Sequence, residues 1–465
     1  MKYFIEVIIW GYPLMLVLII TSIYFGIRTR FAQIRYLKLM PKLLFEKNND
    51  QGKISAFQSI ALILANHIGT GNIVGVAMAI MYGGPGAVFW MWITALLCSS
   101  LSVVENTLGQ MYKTEVNGEY RGGPAYYIFK GIGSKTWAYV MALIFLICLG
   151  LLMPTIQAAV IATTFYKTFH ISKVIIGLFV TITLGVIIYG NSRKIVHTAE
   201  VLVPFMAISY LILAFIIIVF NISKLDDVLI LIINSALNKK SLYGGIIGSA
   251  ISIGVRRGVF SHEAGIGSSP NISASTDVNH PFKQGLMSSF CVFIDTIVIC
   301  SATAFMILIT DCFNVIDGNK VLYIGLLGQD YNSFVSEAIN TVIPNWGPFF
   351  VSLAIFLFAY TSLFSSFYNA QSNLIFLFSH KKSFNKANFI YKTIFLVMIF
   401  LSSIFNMEFV WGVTDLGVGI AAFMNIIVII ILSDKFLEVQ RDFAIKYKKK
   451  DNTRYYNKTL ECWKK

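Results

Sequence analysis

Long apolar runs separated by short polar stretches dominate the chain. Crossing the hydrocarbon of a bilayer takes about 20 apolar residues per helix. By that measure, runs near 4–27, 57–82, 86–110, 136–165, 172–190, 199–220, 244–269, 284–310, 346–378, 389–406 and 410–432 predict about eleven transmembrane helices. An odd number puts the termini on opposite sides. The first run, Tyr3 to Ile27, follows Lys2 and lacks a small-residue cleavage site, so it reads as a retained helix and not a signal peptide. Ten runs remain, and they divide into two groups of five that start in opposite directions. The expected organisation is an all-α polytopic membrane protein. It has an extra N-terminal helix and basic loop (1–56), a first repeat (57–220), an external loop (221–243), an inverted second repeat (244–432) and a basic tail (433–465).

The first member of each group is anomalous. Phe57 to Tyr82 contains no Asp, Glu, Lys or Arg, yet its middle reads ANHIGTGNIVGVA, with Asn66, His67 and Asn72 around two glycines. The second, GVRRGVFSHEAGIGSS, carries Arg256, Arg257, His262 and Glu263 inside an otherwise small and apolar run. Gly-interrupted segments at corresponding positions of two halves point to a transporter site at the membrane midplane. Irregular backbone survives there only where protein or water covers it. A broken helix frees N–H groups that suit a carboxylate and C=O groups that suit a cation. Gly69 and Gly71 would let a ligand approach the backbone around Thr70. The spacing of Gly71 and Gly75 also fits plain helix packing. Embedded charge costs at least about 2.5 kcal/mol per residue, which marks a pathway or a structural ion pair.

Composition supports the membrane reading. The 465 residues are 56% hydrophobic and 13% charged, against roughly 25% charged in soluble domains. The 37 Lys and Arg outnumber 23 Asp and Glu, but their positions argue for membrane sidedness and not for nucleic acid. Loop 28–56 holds Arg28, Arg30, Arg35, Lys38, Lys42, Lys47 and Lys53; loop 111–135 and the stretch around Lys381, Lys382 and Lys386 are also basic. The opposite face carries scattered lysines such as Lys167, Lys224, Lys239, Lys240 and Lys320. The N-terminus is therefore expected outside and the C-terminus in the cytoplasm. The tail IKYKKKDNTRYYNKTLECWKK reads as a solvated topogenic tail, with contact to anionic lipid as the alternative. The six cysteines form no CxxC pair and read as small buried hydrophobes. Other embedded polar groups are Glu105, Gln157 (after Pro154), Thr361, Ser362 and the carboxylate Asp295. Asp295 fits either pairing with an embedded arginine or contact with a ligand.

GTGNIVGVA (69–77), GGPGAVFWMW (83–92), GEYRGGPAYYI (118–128), GVRRGVFSHEAGIGSSP (254–270), CVFIDTIVICSATA (291–304) and FAYTSL (358–363) resemble the alanine/glycine:cation symporter family. The resemblance runs from the first span to about residue 432. It implies a five-plus-five inverted repeat of the LeuT type and Na⁺-driven uptake of a small neutral amino acid across the cell membrane. Na⁺ is then a coupling ion; no cofactor, enzyme activity or obligatory protein partner is implied. On the matched positions, Na⁺ meets the carbonyls of Ala65, Ile68 and Phe358 and the hydroxyls of Thr361 and Ser362. The substrate carboxylate meets the N–H groups of Thr70 and Gly71 near Asn72. Phe260, Ser261 and Ile266 flank its amino end and side chain, and Gln157 faces the same pocket.

The chain departs from the family pattern at several of these places. His67 stands where a small or hydroxyl residue is usual, and FSHEAG replaces FSNEAG, which puts His262 beside the site. PTIQ replaces NMVQ around Gln157. In the late helix Ser366 stands in place of a Trp and Gln371 in place of a Glu, leaving room for a substrate as large as glutamine. The two histidines raise proton coupling or pH gating as an alternative, and a non-transporting amino acid sensor is a further one. His67, His262, Glu263, Arg256 and Arg257 are the candidates for gating or coupling. An intramembrane acid–base or metal enzyme using Glu105, Glu263, His67 and His262 is disfavoured, because HEAG lacks the second histidine of HExxH.

Overall fold

The computed structural model describes residues 10, 12–46, 53–190, 192–237, 247–318, 320–328, 330–379 and 383–464. Residues 4–9 and 11 of the first predicted run, residues 244–246 of the seventh, and Lys47, Lys239, Lys240, Lys381 and Lys382 lie outside them.

Among the described residues, seven helices are long and apolar enough to cross a membrane. They are Gly86–Met111, Lys135–Phe169, Arg193–Phe220, Pro281–Ile309, Gly347–Phe378, Phe384–Ile404 and Met407–Ile431. The pair Ala56–His67 and Gly71–Gly83 makes an eighth crossing, bent by 51° at its break. Tyr12–Arg28 and Lys173–Ile188 are shorter apolar helices, and Ile247–His262 is the helix that carries the two arginines. Each of the eleven predicted runs thus holds a helix.

Burial sorts the helices into layers. The apolar stretches of Pro281–Ile309 and Gly347–Phe378 are mostly buried, whereas those of Arg193–Phe220 and Phe384–Ile404 are mostly exposed. The latter two present rows of exposed apolar side chains such as Phe205, Ile208, Ile212 and Phe215, the surface that lipid tails solvate at no cost. The broken helix packs between Arg193–Phe220, Gly347–Phe378 and Ile247–His262.

Three features outside the apolar runs differ from the sequence reading. Two small antiparallel hairpins, Thr114–Val116 with Glu119–Arg121 and Asn314–Asp317 with Lys320–Ile324, sit in connecting segments. The expected loop 221–243 contains a helix, Leu225–Leu237, which packs on Gly86–Met111. Its apolar residues recur at helical spacing behind Asp226 and Asp227, which favour a helix N-terminus.

The third is the tail, which is folded onto the body. After the helix Ser433–Lys448 the chain turns back, and Tyr455 donates its backbone N–H to Asn279 O at 2.7 Å. Glu461 receives Lys130 Nζ at 2.6 Å and Thr114 Oγ1 at 2.9 Å. Trp463 is fully buried, and its indole N–H donates to Gln110 O at 3.1 Å. Tyr455 and Trp463 of the tail are thus core residues, while Tyr447 and Tyr456 stay exposed. Trp463→Ala is expected to cost about 3–5 kcal/mol, as for other buried large-to-small changes. A melting temperature of the purified protein equal to wild type would contradict this burial.

Candidate functional site

The helix Ala56–His67 starts with a capping box, in which Ser55 Oγ accepts from Gln58 N and the Gln58 side chain accepts from Ser55 N. It stops at Ile68, whose ψ of 91° is extended. A continuous helix would join Gly69 N–H to Ala65 C=O and Thr70 N–H to Asn66 C=O. Instead Gly69 N–H donates to Asn72 Oδ1 at 2.9 Å, and Thr70 N–H donates to Gln157 Oε1 at 3.0 Å. The carbonyls of Ala65 and Asn66 therefore lose their helical donors. A Cβ at 69 would lie 2.9 Å from Gln157 Nε2, so any larger residue there would have to push the Gln157 amide from its place. The chain resumes through a π-helical turn, Gly71–Gly75, before the α-helix Val76–Gly83. Such turns mark functional sites in many proteins.

The second break repeats the device. Ala264 N–H turns to His262 Nδ1 (3.1 Å), and Gly265 N–H to Glu105 Oε1 (3.1 Å). A helix would have directed these donors to the carbonyls of Phe260 and Ser261. Glu263, Gly265 and Gly267 all adopt positive φ (52°, 87° and 88°), which carries the backbone out of the helix before the short segment Ser269–Ser273. For Glu263 that conformation is strained.

The two breaks face each other. A Cβ on Gly71 would lie 3.3 Å from Phe260 Cδ1 and 3.4 Å from Ser261 Cα, whereas Gly75 has nothing nearer than Thr70 O at 4.0 Å. The small residue at 71 therefore serves contact between the interrupted segments, and the GxxxG packing alternative does not hold at Gly75. Asp295 bridges the breaks from a π-helical stretch, Phe293–Cys300. It accepts from Asn72 Nδ2 at 2.6 Å, Ser261 Oγ at 2.8 Å and Thr296 Oγ1 at 2.9 Å. The alternative that Asp295 pairs with an embedded arginine is thereby corrected.

The arginines have a different partner. Arg256 and Arg257 both reach Asp415 in the helix Met407–Ile431, Arg257 Nη2 at 3.1 Å. Arg257 also lies over Trp411 at 4.6 Å, and Trp411 packs on Phe260 with ring centroids 5.1 Å apart. Glu263 accepts from Asn66 Nδ2 and Ser268 Oγ, so the Arg–Glu pairing considered from sequence is replaced by Arg–Asp. Glu105 also receives Asn425 Nδ2 at 2.8 Å.

On the other side of the first break, Ser362 Oγ donates to Asn66 O at 3.4 Å and Ser365 Oγ to Leu62 O at 2.8 Å. Thr361 instead donates to its own helix at Phe358 O (3.0 Å), with Met206 Sδ at 3.6 Å. His67 is buried, and neither of its ring nitrogens has a hydrogen-bond partner; His262, within electrostatic reach of it, has an unpartnered Nε2. Ile266 and Ser366 are buried as well.

Thus the structure gathers Thr70, Gly71, Asn72, Gln157, Phe260 and Ser261, and sets Ser362 against the end of the first half-helix. One difference from the expected pocket is that Gln157 occupies the Thr70 N–H assigned to a substrate carboxylate. Asp415, Trp411 and Asn425 have no place in the sequence reading. Asp415 follows the rule that flagged Asp295, a single carboxylate in an apolar run (VWGVTDLGVG).

Comparisons with known proteins agree with this architecture. The chain is 37% identical to the amino-acid carrier protein AlsT of Bacillus subtilis, over 94% of this chain and 90% of that one. It is 36% identical to the sodium/proton-dependent alanine carrier protein of Bacillus sp. (strain PS3), over 84% and 88%. It is 33% identical to the sodium/alanine symporter AgcS of Methanococcus maripaludis, over 91% and 92%. Among solved structures, the manganese transporter of Eremococcus coleocola superposes with a TM-score of 0.50 at 12% identity, over 79% of this chain and 75% of that one, a likeness of fold alone. The family model described as the sodium:alanine symporter family matches residues 1–457. With two interrupted helices meeting at a buried polar centre inside a helical membrane fold, the chain belongs to the sodium:alanine symporter family, a family of transporters and not of enzymes.

Proposed function

We propose that this protein imports a small neutral amino acid together with Na⁺ by alternating access. The observation that carries this reading is the meeting of two broken helices, Gly71 against Phe260 and Ser261, joined through Asp295. Carbonyls released at Ala65, Asn66, Phe260 and Ser261 supply cation and ammonium ligands, while the N–H groups of Gly69 and Thr70 suit a carboxylate. A substrate carboxylate displaces Gln157 from Thr70 and takes the vacated amide, with Gly71 and Asn72 beside it. Phe260, Ser261 and Ile266 line the amino end and side chain.

Within this reading the eleven helical segments form an N-terminal helix followed by five-plus-five inverted repeats, 57–220 and 244–432, in a multi-pass protein of the cell membrane. The N-terminus lies outside and the basic tail inside. Support comes from the break at the first helix of each half and from the placement of Lys and Arg. Relatives described as sodium/alanine symporter and sodium/proton-dependent alanine carrier support alanine as substrate.

Na⁺ is held by Ala65, Ile68 and Phe358 carbonyls with Thr361 and Ser362. Thr361→Ala is expected to raise the Na⁺ concentration for half-maximal uptake about tenfold, the loss of about 1.4 kcal/mol that one ligand hydroxyl contributes. The maximal rate should change less, and an unaltered Na⁺ dependence would remove Thr361 from the site. Ser366 shapes the side-chain pocket, so Ser366→Trp should narrow uptake towards glycine and alanine. An unchanged substrate range would refute that placement.

The two unpartnered ring nitrogens of His67 and the unpartnered Nε2 of His262 favour a second reading, in which protons share or replace Na⁺ coupling. Proteoliposomes offered a panel of radiolabelled amino acids, under separately imposed Na⁺ and H⁺ gradients, decide between the two. Binding without uptake or counterflow under either gradient would overturn both.

A further inference from the structure

The end of the first helix and the helix Ser433–Lys448 form a basic cleft whose lining includes no residue of either broken helix. Its volume is about 460 Å³, and Arg28, Arg30, Arg35, Arg441 and Lys448 line it together with Tyr36. All five cations are exposed, and its lining includes no acidic side chain. Arg28 alone among the five makes an ion pair in the described residues, an exposed one with Asp434 at 3.5 Å. Two guanidinium groups are held in place by rings: Arg28 lies 5.6 Å from the Tyr24 ring, and Arg35 lies 4.6 Å from that of Tyr36. Arg35 Nη2 also donates to Tyr36 Oη at 3.2 Å.

Membrane sidedness explains basic residues on this face, but scattered positions would serve that purpose equally. Here two distant parts of the chain, 28–36 and 440–448, converge their cations on one concave surface. Like charges so arranged repel unless an anion lies between them. The rim gives the second half of the ligand. Ile20, Ile23 and Ile27 form an exposed stripe on the helix Tyr12–Arg28 that leads directly to Arg28. Phe31, Ile34 and Ile445, each next in the chain to a lining residue (Arg30, Arg35 and Ala444), are exposed as well. A free phosphate or nucleotide has no use for such a rim, whereas acyl chains do.

We propose that this cleft is a binding site for an anionic phospholipid. The phosphate sits among Arg28, Arg30, Arg35, Arg441 and Lys448, and the acyl chains follow the Ile20–Ile27 stripe into the bilayer. Guanidinium groups suit a phosphate because they donate two parallel hydrogen bonds to it. The site ties the first helix to the C-terminal helix through a lipid that belongs to neither.

Native mass spectrometry of the purified full-length protein tests the proposal, with phosphatidylglycerol as probe and phosphatidylcholine for comparison. Wild type should retain phosphatidylglycerol selectively, and the double variant Arg30→Gln with Arg441→Gln should retain about tenfold less. Lys135→Gln with Lys386→Gln removes the same charge elsewhere and should retain as much as wild type. Photoactivatable phosphatidylglycerol should label residues 28–36 and 441–448 of the unsubstituted protein, a readout independent of any variant's folding. Equal retention by the Arg30/Arg441 variant, equal loss in the Lys135/Lys386 variant, labelling confined to other segments, or displacement by equimolar inorganic phosphate would each overturn it. The last outcome would identify a site for a free anion.

Discussion

Substitution of Asp415 by alanine is expected to leave little folded protein. Its carboxylate is the shared partner of Arg256 and Arg257, and its side chain is almost fully enclosed. Removing one member of a buried ion pair leaves the other charge uncompensated, at a cost of about 3–5 kcal/mol. Here two guanidinium groups are stranded instead of one. Against a typical total stability of about 5–15 kcal/mol, that loss is large. Thermal unfolding followed by size-exclusion chromatography in detergent measures it. Arg256→Met in the wild-type background should cost far less, since Arg257 still satisfies Asp415. Equal stability of Asp415→Ala and wild type would show that this cluster carries no structural load.

Asp295→Asn should have the second large effect, this time on transport. All three groups aimed at the Asp295 carboxylate are donors, from Asn72, Ser261 and Thr296. An amide offers one oxygen and two N–H donors, so with its oxygen kept on Asn72 the Ser261 and Thr296 hydroxyls must reverse and accept, and the charge that strengthens all three bonds is gone. Losing one charge-assisted hydrogen bond costs about 1.5–3 kcal/mol, or roughly a 10- to 150-fold change in an equilibrium constant. Because Asn72 and Ser261 belong to different broken helices, the cost falls on their relative position. Proteoliposome uptake at saturating Na⁺ should drop by at least about tenfold while the melting curve shifts little. Near-normal uptake would exclude Asp295 as the link between the breaks.

The places where this fold is legible from sequence are those where one rule has no competitor. Unbroken apolar runs need internally bonded backbone, so each of the eleven predicted runs holds a helix. Both breaks were readable because glycine, hydroxyl and charged residues have no other reason to collect in an apolar run. Partners were not readable, because pairing depends on which helices meet. Arg256 and Arg257 were flagged, but Asp415 lies more than 150 positions away in sequence. Gln157 was placed in the pocket, but not on the Thr70 amide. The tail misleads because its lysines dominate a local reading, while its fold depends on distant partners, Gln110 for Trp463 and Asn279 for Tyr455. Helix Leu225–Leu237 hid behind its brevity and its paired aspartates.

The donors at the two interruptions already have protein acceptors: Asn72 and Gln157 at the first, His262 and Glu105 at the second. A carrier must also make its return stroke without cargo, and a vacant centre with dangling amides would hold water or collapse during that half of the cycle. Side chains that imitate the passenger remove this penalty, so the unloaded protein can swing back at little energetic expense. On the reading proposed above the same imitation limits affinity, because the cargo's carboxylate has to displace Gln157 from the Thr70 amide. That reading ties loose binding to fast resetting, so a Gln157 variant that binds more tightly should also turn over more slowly.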